Sequence, residues 1–129
     1  MKVIIIIGSE SDRDFAQKII DGLDKFSISY EVNVASAHKQ PLEVLNIIKS
    51  NADENGIVYI TIAGRSNALS GFVAANSNNP VIACPPFKDK TDMLVNIHST
   101  LQMPSNAPVL TILDPSNCAL AVKRILEMR

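Results

Sequence analysis

The chain lacks tryptophan, and aromatic residues make up only 5% of its 129 positions. A flavin-binding electron carrier needs aromatic rings to stack on the isoalloxazine, so this composition argues against that class of protein. Neither sign of charge is in excess, because 12 Lys and Arg against 13 Asp and Glu give a formal net charge of −1. A protein without a basic surface has little to hold a nucleic-acid backbone or an anionic membrane, so we expect neither partner.

Cysteine and long apolar runs are also scarce. Cys84 and Cys118 are the two cysteines, and both lie in apolar stretches without the spacing of metal ligands. This pattern predicts buried, reduced thiols in an intracellular chain and no metal site. The N-terminal segment MKVIIIIGSESD has five apolar residues after its lysine, too few for a signal peptide or a membrane span, and we expect a cytoplasmic protein.

An alternation of apolar runs and helical periods fills the rest of the chain. Runs rich in β-branched residues, such as 3–7 and 58–62, are typical of strands buried on both faces of a parallel sheet. The length and the 47% hydrophobic content suit one domain over residues 1–129. The predicted strands cover 2–7, 30–34, 57–63, 81–84 and 109–113, and the predicted helices cover 11–26, 41–52, 68–76, 89–100 and 116–128. We therefore predict an α/β fold, a three-layer, doubly wound, five-stranded parallel sheet with the flavodoxin-like strand order 2-1-3-4-5.

This topology predicts where a ligand binds. In open parallel sheets the binding crevice lies outside the carboxyl ends of the strands, at the point where the strand order reverses. The loops after the first three strands would surround it, and these loops are polar. They read GSESD (8–12), SAHKQP (36–41) and GRSN (64–67).

In the first loop, Gly8 lets the backbone turn sharply out of the strand. Ser9 and Ser11 offer hydroxyls beside the free N–H groups at the start of the next helix, an arrangement that suits a phosphate. Asp12 would repel a phosphate, so we expect it to accept from neutral donors such as ribose hydroxyls. The same serines, followed by acidic residues, also fit an ordinary helix N-cap, and the loop alone leaves both interpretations open.

In the second loop, Pro41 suits the first turn of a helix, which leaves His38 and Lys39 on the connection that faces the crevice. An imidazole with an ordinary pKa near 6.5 exchanges protons at neutral pH, and Lys39 supplies a positive charge for an anionic group. A histidine that only binds a backbone carbonyl is the alternative. The second histidine, His98, falls within a predicted helix, where we expect a structural or partly exposed side chain.

In the third loop, Gly64 ends the strand and Arg65 offers a planar guanidinium for phosphate or carboxylate. Ser66 is a neutral donor beside it, and Asn67 can cap the following helix. A solvated surface arginine is the alternative for Arg65. The position of Arg65 at the predicted crevice favours the binding role.

The motifs GSESD, SAHK and AGRSNALSG, in this order and at these strand ends, resemble the AIR (phosphoribosylaminoimidazole) carboxylase family of de novo purine biosynthesis. PVIACPP and LQMPS resemble its later segments, so the likeness runs from about residue 3 to residue 126. The related mutase branch, which takes its carboxyl group from the N5-carboxyamino nucleotide, has a loop of the form GAGGAAHLPG after the third strand. This chain has GRSNALSG there, two residues shorter and without histidine, as in the CO2-using (class II) branch.

The resemblance implies a single AIR carboxylase domain that carboxylates 5-aminoimidazole ribonucleotide with CO2, without a metal or other cofactor. It implies His38 as the general base, with Lys39 and Ser66 stabilising charge on the new carboxylate. Ser9, Ser11, Asp12 and Ser36 would bind the ribose 5′-phosphate portion, joined here by Arg65. The full set expected to bind substrate is Gly8, Ser9, Ser11, Asp12, Ser36, Ala37, Gly64 and Arg65.

Two other functions and an assembly state stay open. The mutase reaction is one alternative, and a phosphate-responsive receiver module without catalytic activity is another. A receiver needs an acidic pair, an aspartate and a lysine after the first, third and fifth strands, and only GSESD approaches this pattern. Family members are typically homo-octamers, so we expect a homo-oligomer. The small-residue segment ALSGFVAA (68–75) would suit packing against a partner, or simply against the sheet.

Overall fold

β-Branched residues build the centre of the sheet in the computed structural model, which describes residues 1–128; Arg129, the last residue of the predicted domain, lies outside the described part. The strands are β1 (Lys2–Ile7), β2 (Tyr30–Val34), β3 (Ile57–Ile62), β4 (Val81–Ala83) and β5 (Leu110–Thr111). They are all parallel, in the order β2-β1-β3-β4-β5, which confirms the predicted topology. Every residue of β3, and every residue of β1 except Lys2, is buried, as expected for central strands.

Helices cover both faces of this sheet. They are α1 (Arg13–Lys25), α2 (Pro41–Ser50), α3 (Leu69–Asn76), α4 (Lys90–Asn96), α5 (His98–Leu101) and α6 (Pro115–Leu126). Successive side chains of β1 point to opposite faces, so Ile5 joins the core beneath α1 and α6, and Ile6 joins the core beneath α2 and α3. Within residues 1–128, no helix has both the length and the apolar character that a membrane span requires.

The predicted bounds of helices and strands differ from the structure mainly in the second half of the chain. The predicted helix 89–100 is two helices, because Ile97 interrupts it and its carbonyl accepts from the N–H and the hydroxyl of Thr100 as well as from the N–H of Leu101. A threonine hydroxyl that competes for a carbonyl in this way disturbs the regular helical ladder. The predicted strand 109–113 shortens to the two residues of β5, which pair only with the short edge of β4.

The thiols and the small-residue helix are buried as parts of the core. Cys84 and Cys118 are free and buried, which confirms the prediction for both. Their mutual contact and their burial raise the pKa of the Cys118 thiol. In α3, Leu69 and Val73 pack into the core on the sheet, so packing on the sheet accounts for one face of this helix.

Helices α1 and α6 approach each other closely at a glycine. A Cβ placed on Gly22 would lie 2.6 Å from the Cβ of Ala119, well inside van der Waals contact. Ala119 is buried in the core, whereas Gly22 is half-buried at the contact between the two helices. The distance between the two helices therefore depends on the missing side chain at position 22.

We expect Gly22→Ala to destabilise the protein by up to about 2 kcal/mol, because an overpacking cost of about 1–3 kcal/mol exceeds the gain of roughly 1 kcal/mol in helix propensity. Urea unfolding followed by circular dichroism measures the change. The matched background is Ala119→Gly, which removes the opposing Cβ, and there the same substitution should be neutral or stabilising. A stabilising Gly22→Ala in the unmodified chain would show that the helices separate freely.

Candidate active site

Three loops at the carboxyl ends of β1, β2 and β3 surround one cleft of about 330 Å3. This is the crevice that the strand order predicts. The residues that line it are Gly8, Ser9, Ser11, Asp12, Ser36, Ala37, His38, Ala63, Gly64, Arg65, Ser66, Ala68 and Leu69. Every residue predicted for the site is among them except Lys39.

Gly8 keeps the ends of the two central strands together at the floor of the cleft. Its N–H donates to the carbonyl of Ile62 at 2.8 Å, which extends the ladder between β1 and β3 by one residue. A Cβ at this position would lie 3.2 Å from the Cβ of Ala63, a tight contact. A glycine here lets the first and third loops begin side by side.

The serines of the first loop form both a helix cap and a pair of hydroxyls at the cleft. Ser9 Oγ accepts from the N–H of Ser11 at 3.3 Å and so caps the 3₁₀ turn Glu10–Asp12 that precedes α1. The same Oγ lies 2.8 Å from the hydroxyl of Ser11, and both residues line the cleft. The two interpretations left open by the sequence are therefore compatible, since Ser9, which caps the turn, also lines the cavity together with Ser11.

Asp12 places a partly buried carboxyl in the same wall. Burial raises the pKa of this carboxyl above its ordinary value. A carboxylate that has lost part of its hydration is stabilised by hydrogen-bond donors. Ligand hydroxyl groups would supply such donors, whereas a phosphate would add repulsion.

The second loop is a closed turn that presents His38. The N–H of Gln40 donates to the carbonyl of Ser36 at 2.7 Å, and the N–H of Lys39 donates to Ser36 Oγ at 3.2 Å. Pro41 begins α2, as predicted. These contacts fix the backbone on both sides of His38 while its side chain stays exposed.

His38 joins the second loop to the third. Its Nε2 lies 2.9 Å from the carbonyl oxygen of Ser66. A carbonyl can only accept, so this contact assigns the proton to Nε2 and leaves the lone pair of the neutral ring on Nδ1. The imidazole does bind a carbonyl, as the alternative interpretation held, and His38 is also one of the residues that line the cleft.

Lys39 differs from its neighbours. It is exposed, and it is not among the residues that line the cleft. Its backbone N–H closes the turn at Ser36, so the structure gives it a part in shaping the loop. A direct contact between its ammonium group and a ligand stays a prediction.

Arg65 is engaged by a helix that the sequence did not connect with the site. Its Nη2 lies 2.5 Å from Asp92 Oδ1, and its Nε donates to Asn96 Oδ1 at 3.2 Å. The N–H of Lys88 and the guanidinium lower the pKa of the Asp92 carboxyl below its ordinary value. Arg65 is therefore exposed, as the alternative interpretation held, but its guanidinium is held by Asp92 and Asn96.

A second cavity lies beside the first, next to the contacts of Arg65 with α4. It has a volume of about 380 Å3, and Ser11, Asp12, Gly64 and Arg65 line both cavities. Phe15 and Phe87, with ring centroids 6.2 Å apart in an edge-to-face arrangement, form part of its wall. Arg65 therefore lies between the first cavity and the loop that precedes α4.

Asn67 and His98, the two other polar residues considered in the sequence, both lie near the third loop. Asn67 Oδ1 accepts from the N–H of Ser70 at 3.2 Å, so Asn67 does bond the first turn of α3, although the N-cap position itself is Ala68. His98 is exposed at the start of α5 and lines a cavity of about 230 Å3 on another side of the Gly64–Ser66 turn. The sequence did not predict the contacts of Asp92 and Asn96 with Arg65. These residues lie 27 and 31 positions from Arg65, in a helical segment without a recognisable motif.

Comparisons with known proteins match this chain to one family. The family model described as AIR carboxylase matches residues 2–129. A phosphoribosylaminoimidazole carboxylase from Archaeoglobus fulgidus is 47% identical over 129 residues, which are 100% of this chain and 71% of that protein. An N5-carboxyaminoimidazole ribonucleotide mutase from Methanocaldococcus jannaschii is 40% identical over 129 residues, covering 98% of this chain and 80% of its own length.

A solved structure agrees with the same grouping. The crystal structure of Treponema denticola PurE superposes with a TM-score of 0.88 at 43% sequence identity. The match covers 95% of this chain and 78% of that chain. The fold described above is therefore the fold of this crystal structure.

Proposed function

Because this chain belongs to the AIR carboxylase family, we propose that it carboxylates 5-aminoimidazole ribonucleotide reversibly to 4-carboxy-5-aminoimidazole ribonucleotide in de novo purine biosynthesis. The observation that carries this proposal is the convergence of three strand-end loops on one cleft with His38 at their junction. A receiver module would need an aspartate at the end of β3, where this chain has Ala63.

The chemistry requires one proton transfer at carbon. C4 of the aminoimidazole ring is enamine-like and attacks CO2, which leaves a tetrahedral carbon that bears both the new carboxylate and a hydrogen. Nδ1 of His38 accepts this proton, and the C–H electron pair returns to the ring and restores its aromaticity. General base catalysis of this kind contributes about 10² to 10⁴ in rate.

The contact between His38 and Ser66 supports both halves of this cycle. Before proton transfer, the carbonyl holds the proton on Nε2 and leaves Nδ1 as the base. After transfer, the imidazolium donates to the same carbonyl, which stabilises its positive charge. In the decarboxylation direction the imidazolium returns its Nδ1 proton to C4 as the general acid.

The nucleotide would lie along the serine wall of the cleft. Ser9, Ser11 and Ser36 supply hydroxyl donors for the ribose 5′-phosphate, and Asp12 accepts from ribose hydroxyls. Arg65 borders the same cavity, but its pairing with Asp92 leaves only part of its charge for a ligand. Lys39, exposed beside His38, is the available cation of the second loop.

For the carboxyl donor we propose CO2. The third loop reads GRSNALSG and lacks the histidine of the glycine-rich mutase loop. Ser66, at the cleft, can donate its hydroxyl to the developing carboxylate. The relative from M. jannaschii bears the name of the mutase, so the donor needs a direct test.

The donor experiment compares two substrates with the same purified protein. We expect product absorbance with aminoimidazole ribonucleotide plus bicarbonate, which supplies dissolved CO2, and none above background with the N5-carboxyamino nucleotide under CO2-free conditions. Product only from the N5-carboxyamino nucleotide would replace the CO2 proposal by the mutase reaction. No product from either substrate would contradict the proposed function.

A pair of matched variants separates chemistry from binding. His38→Asn removes the base and keeps a similar volume, so we expect kcat to fall by about 10² to 10⁴ while the nucleotide still binds. Ser11→Ala removes one hydroxyl and should raise KM with a smaller effect on kcat. Steady-state kinetics and calorimetric titration with the nucleotide measure both quantities. An active His38→Asn enzyme would remove His38 from the mechanism.

We also propose a cytoplasmic homo-oligomer, an octamer by resemblance to the family. Support comes from large apolar side chains left exposed on the side of the molecule formed by α4, α5 and β5. Leu94, Val95, Leu101 and Leu110 have between 48% and 61% of their surface accessible. β5 also forms an edge of the sheet, where its backbone pairs with β4 alone among the described strands.

The assembly is tested by light scattering after size-exclusion chromatography. We expect a mass several times the 14.0 kDa of one chain, and a smaller mass for Leu101→Glu, because a charge at this exposed apolar position opposes burial. Leu42→Glu is the control, since Leu42 is exposed on α2 outside this surface. A monomeric unmodified chain would overturn the proposal.

A further inference from the structure

Two side chains of α4 hold Arg65 in place. Asp92 and Asn96, one helical turn apart, bind its Nη2 and Nε at 2.5 and 3.2 Å. Each is itself fixed by the preceding loop, since Asp92 Oδ2 accepts from the N–H of Lys88 at 2.9 Å and Asn96 Nδ2 donates to the carbonyl of Pro86 at 2.7 Å. Asn96 is buried, so the arginine meets a rigid pair of acceptors.

Arg65 is the side chain that connects the outer part of the third loop to α4. A Cβ on Gly64 would have nothing within 4 Å, and both Arg65 and Ser66 are exposed. The loop becomes buried again only at Asn67. The turn between β3 and Asn67 therefore has little packing of its own, and the guanidinium contacts with α4 restrain it.

The next residue carries the contact to the imidazole. The carbonyl of Ser66 accepts from His38 Nε2 and from the N–H of Ala68, both at 2.9 Å. A shift of the Arg65 backbone would move this carbonyl, because Ser66 directly follows Arg65 in the same exposed turn. The position of the imidazole and the nitrogen that bears its proton both depend on that carbonyl.

We propose that Asp92 and Asn96 are positioning residues for His38, acting through Arg65 and the Ser66 carbonyl. They hold the turn that keeps the proton on Nε2 and the lone pair on Nδ1. The effect on turnover rests on the proposed carboxylase function, whereas the effect on the imidazole is a property of the free protein.

The decisive variant is Asp92→Ala, and Asp89→Ala is its matched control. Asp89 caps α4 by accepting from the N–H of Asp92 at 2.9 Å, so its loss weakens the same helix without removing a contact to Arg65. Asp92→Asn is the conservative variant, because its amide oxygen can still accept from the guanidinium. A purely structural role for Asp92 predicts similar behaviour of the two alanine variants.

The first measurement is the ¹⁵N spectrum of the imidazole in the free protein, where the two ring nitrogens report which of them is protonated. We expect the Nε2-protonated form of His38 in the unmodified protein and in Asp89→Ala. Asp92→Ala and Asn96→Ala should add the Nδ1-protonated form. Asp92→Asn should restore most of the original signal.

The second measurement is turnover. We expect kcat to fall by about 10-fold to 10²-fold in Asp92→Ala, with KM changed much less, as for a misplaced catalytic group. The double variant Asp92→Ala/Asn96→Ala should be little worse than either single one, since both act through Arg65. Asp89→Ala should lower the melting temperature while it keeps kcat.

Either of two results would overturn the proposal: an unchanged His38 spectrum in Asp92→Ala, or equal losses in Asp92→Ala and Asp89→Ala. Should Asp92→Ala not fold, Arg65→Lys tests the same link, because it keeps the charge but loses the Nε contact to Asn96. The Nδ1-protonated form is then expected, and its absence contradicts the proposal. An unmodified protein without carboxylase activity would contradict the proposed function alone, since the spectra still decide the positioning role.

Discussion

The reversal of the strand order at β1 and β3 is the constraint on which the site depends. The loop after β1 leads to α1 on one face, whereas the loops after β2 and β3 lead to α2 and α3 on the other. The two central strands stay paired to their ends, where Gly8 still donates to Ile62, and their loops then separate. A crevice must open between loops that leave a common edge toward opposite faces.

The two walls of this crevice consequently have different chemistry. The wall before α1 carries hydroxyls and one partly buried carboxyl, which suit the sugar and phosphate of a nucleotide. The wall formed by the second and third loops carries the imidazole, and the bond from His38 to Ser66 fastens these two loops to each other. Under the proposed function, the first loop supplies most of the groups that bind the nucleotide, and His38 of the second loop supplies the base.

The sequence predicted the sheet because runs such as 3–7 and 57–62 are uniformly apolar and β-branched, a pattern that few other structures share. It predicted most of the cleft because strand order places loop residues at one edge. It did not reveal the break at Ile97, which depends on how one carbonyl distributes its hydrogen bonds. Nor did it reveal Asp92 and Asn96, since pairing between a loop and a distant helix leaves no local periodicity.

The state of Arg65 changes what its charge can do in the site. The Asp92 carboxylate, 2.5 Å from the guanidinium, already compensates much of its positive charge. Because the Arg65 side chain is exposed, water screens its charge further. A dianionic phosphate would therefore gain less from Arg65 than from the hydroxyls of Ser9 and Ser11 near the start of α1. The same pairing gives the arginine a geometric value, because two fixed acceptors orient its planar group and the backbone attached to it. Under the proposed positioning role, Arg65 contributes more to the site by holding the turn that carries the Ser66 carbonyl than by its charge on a ligand.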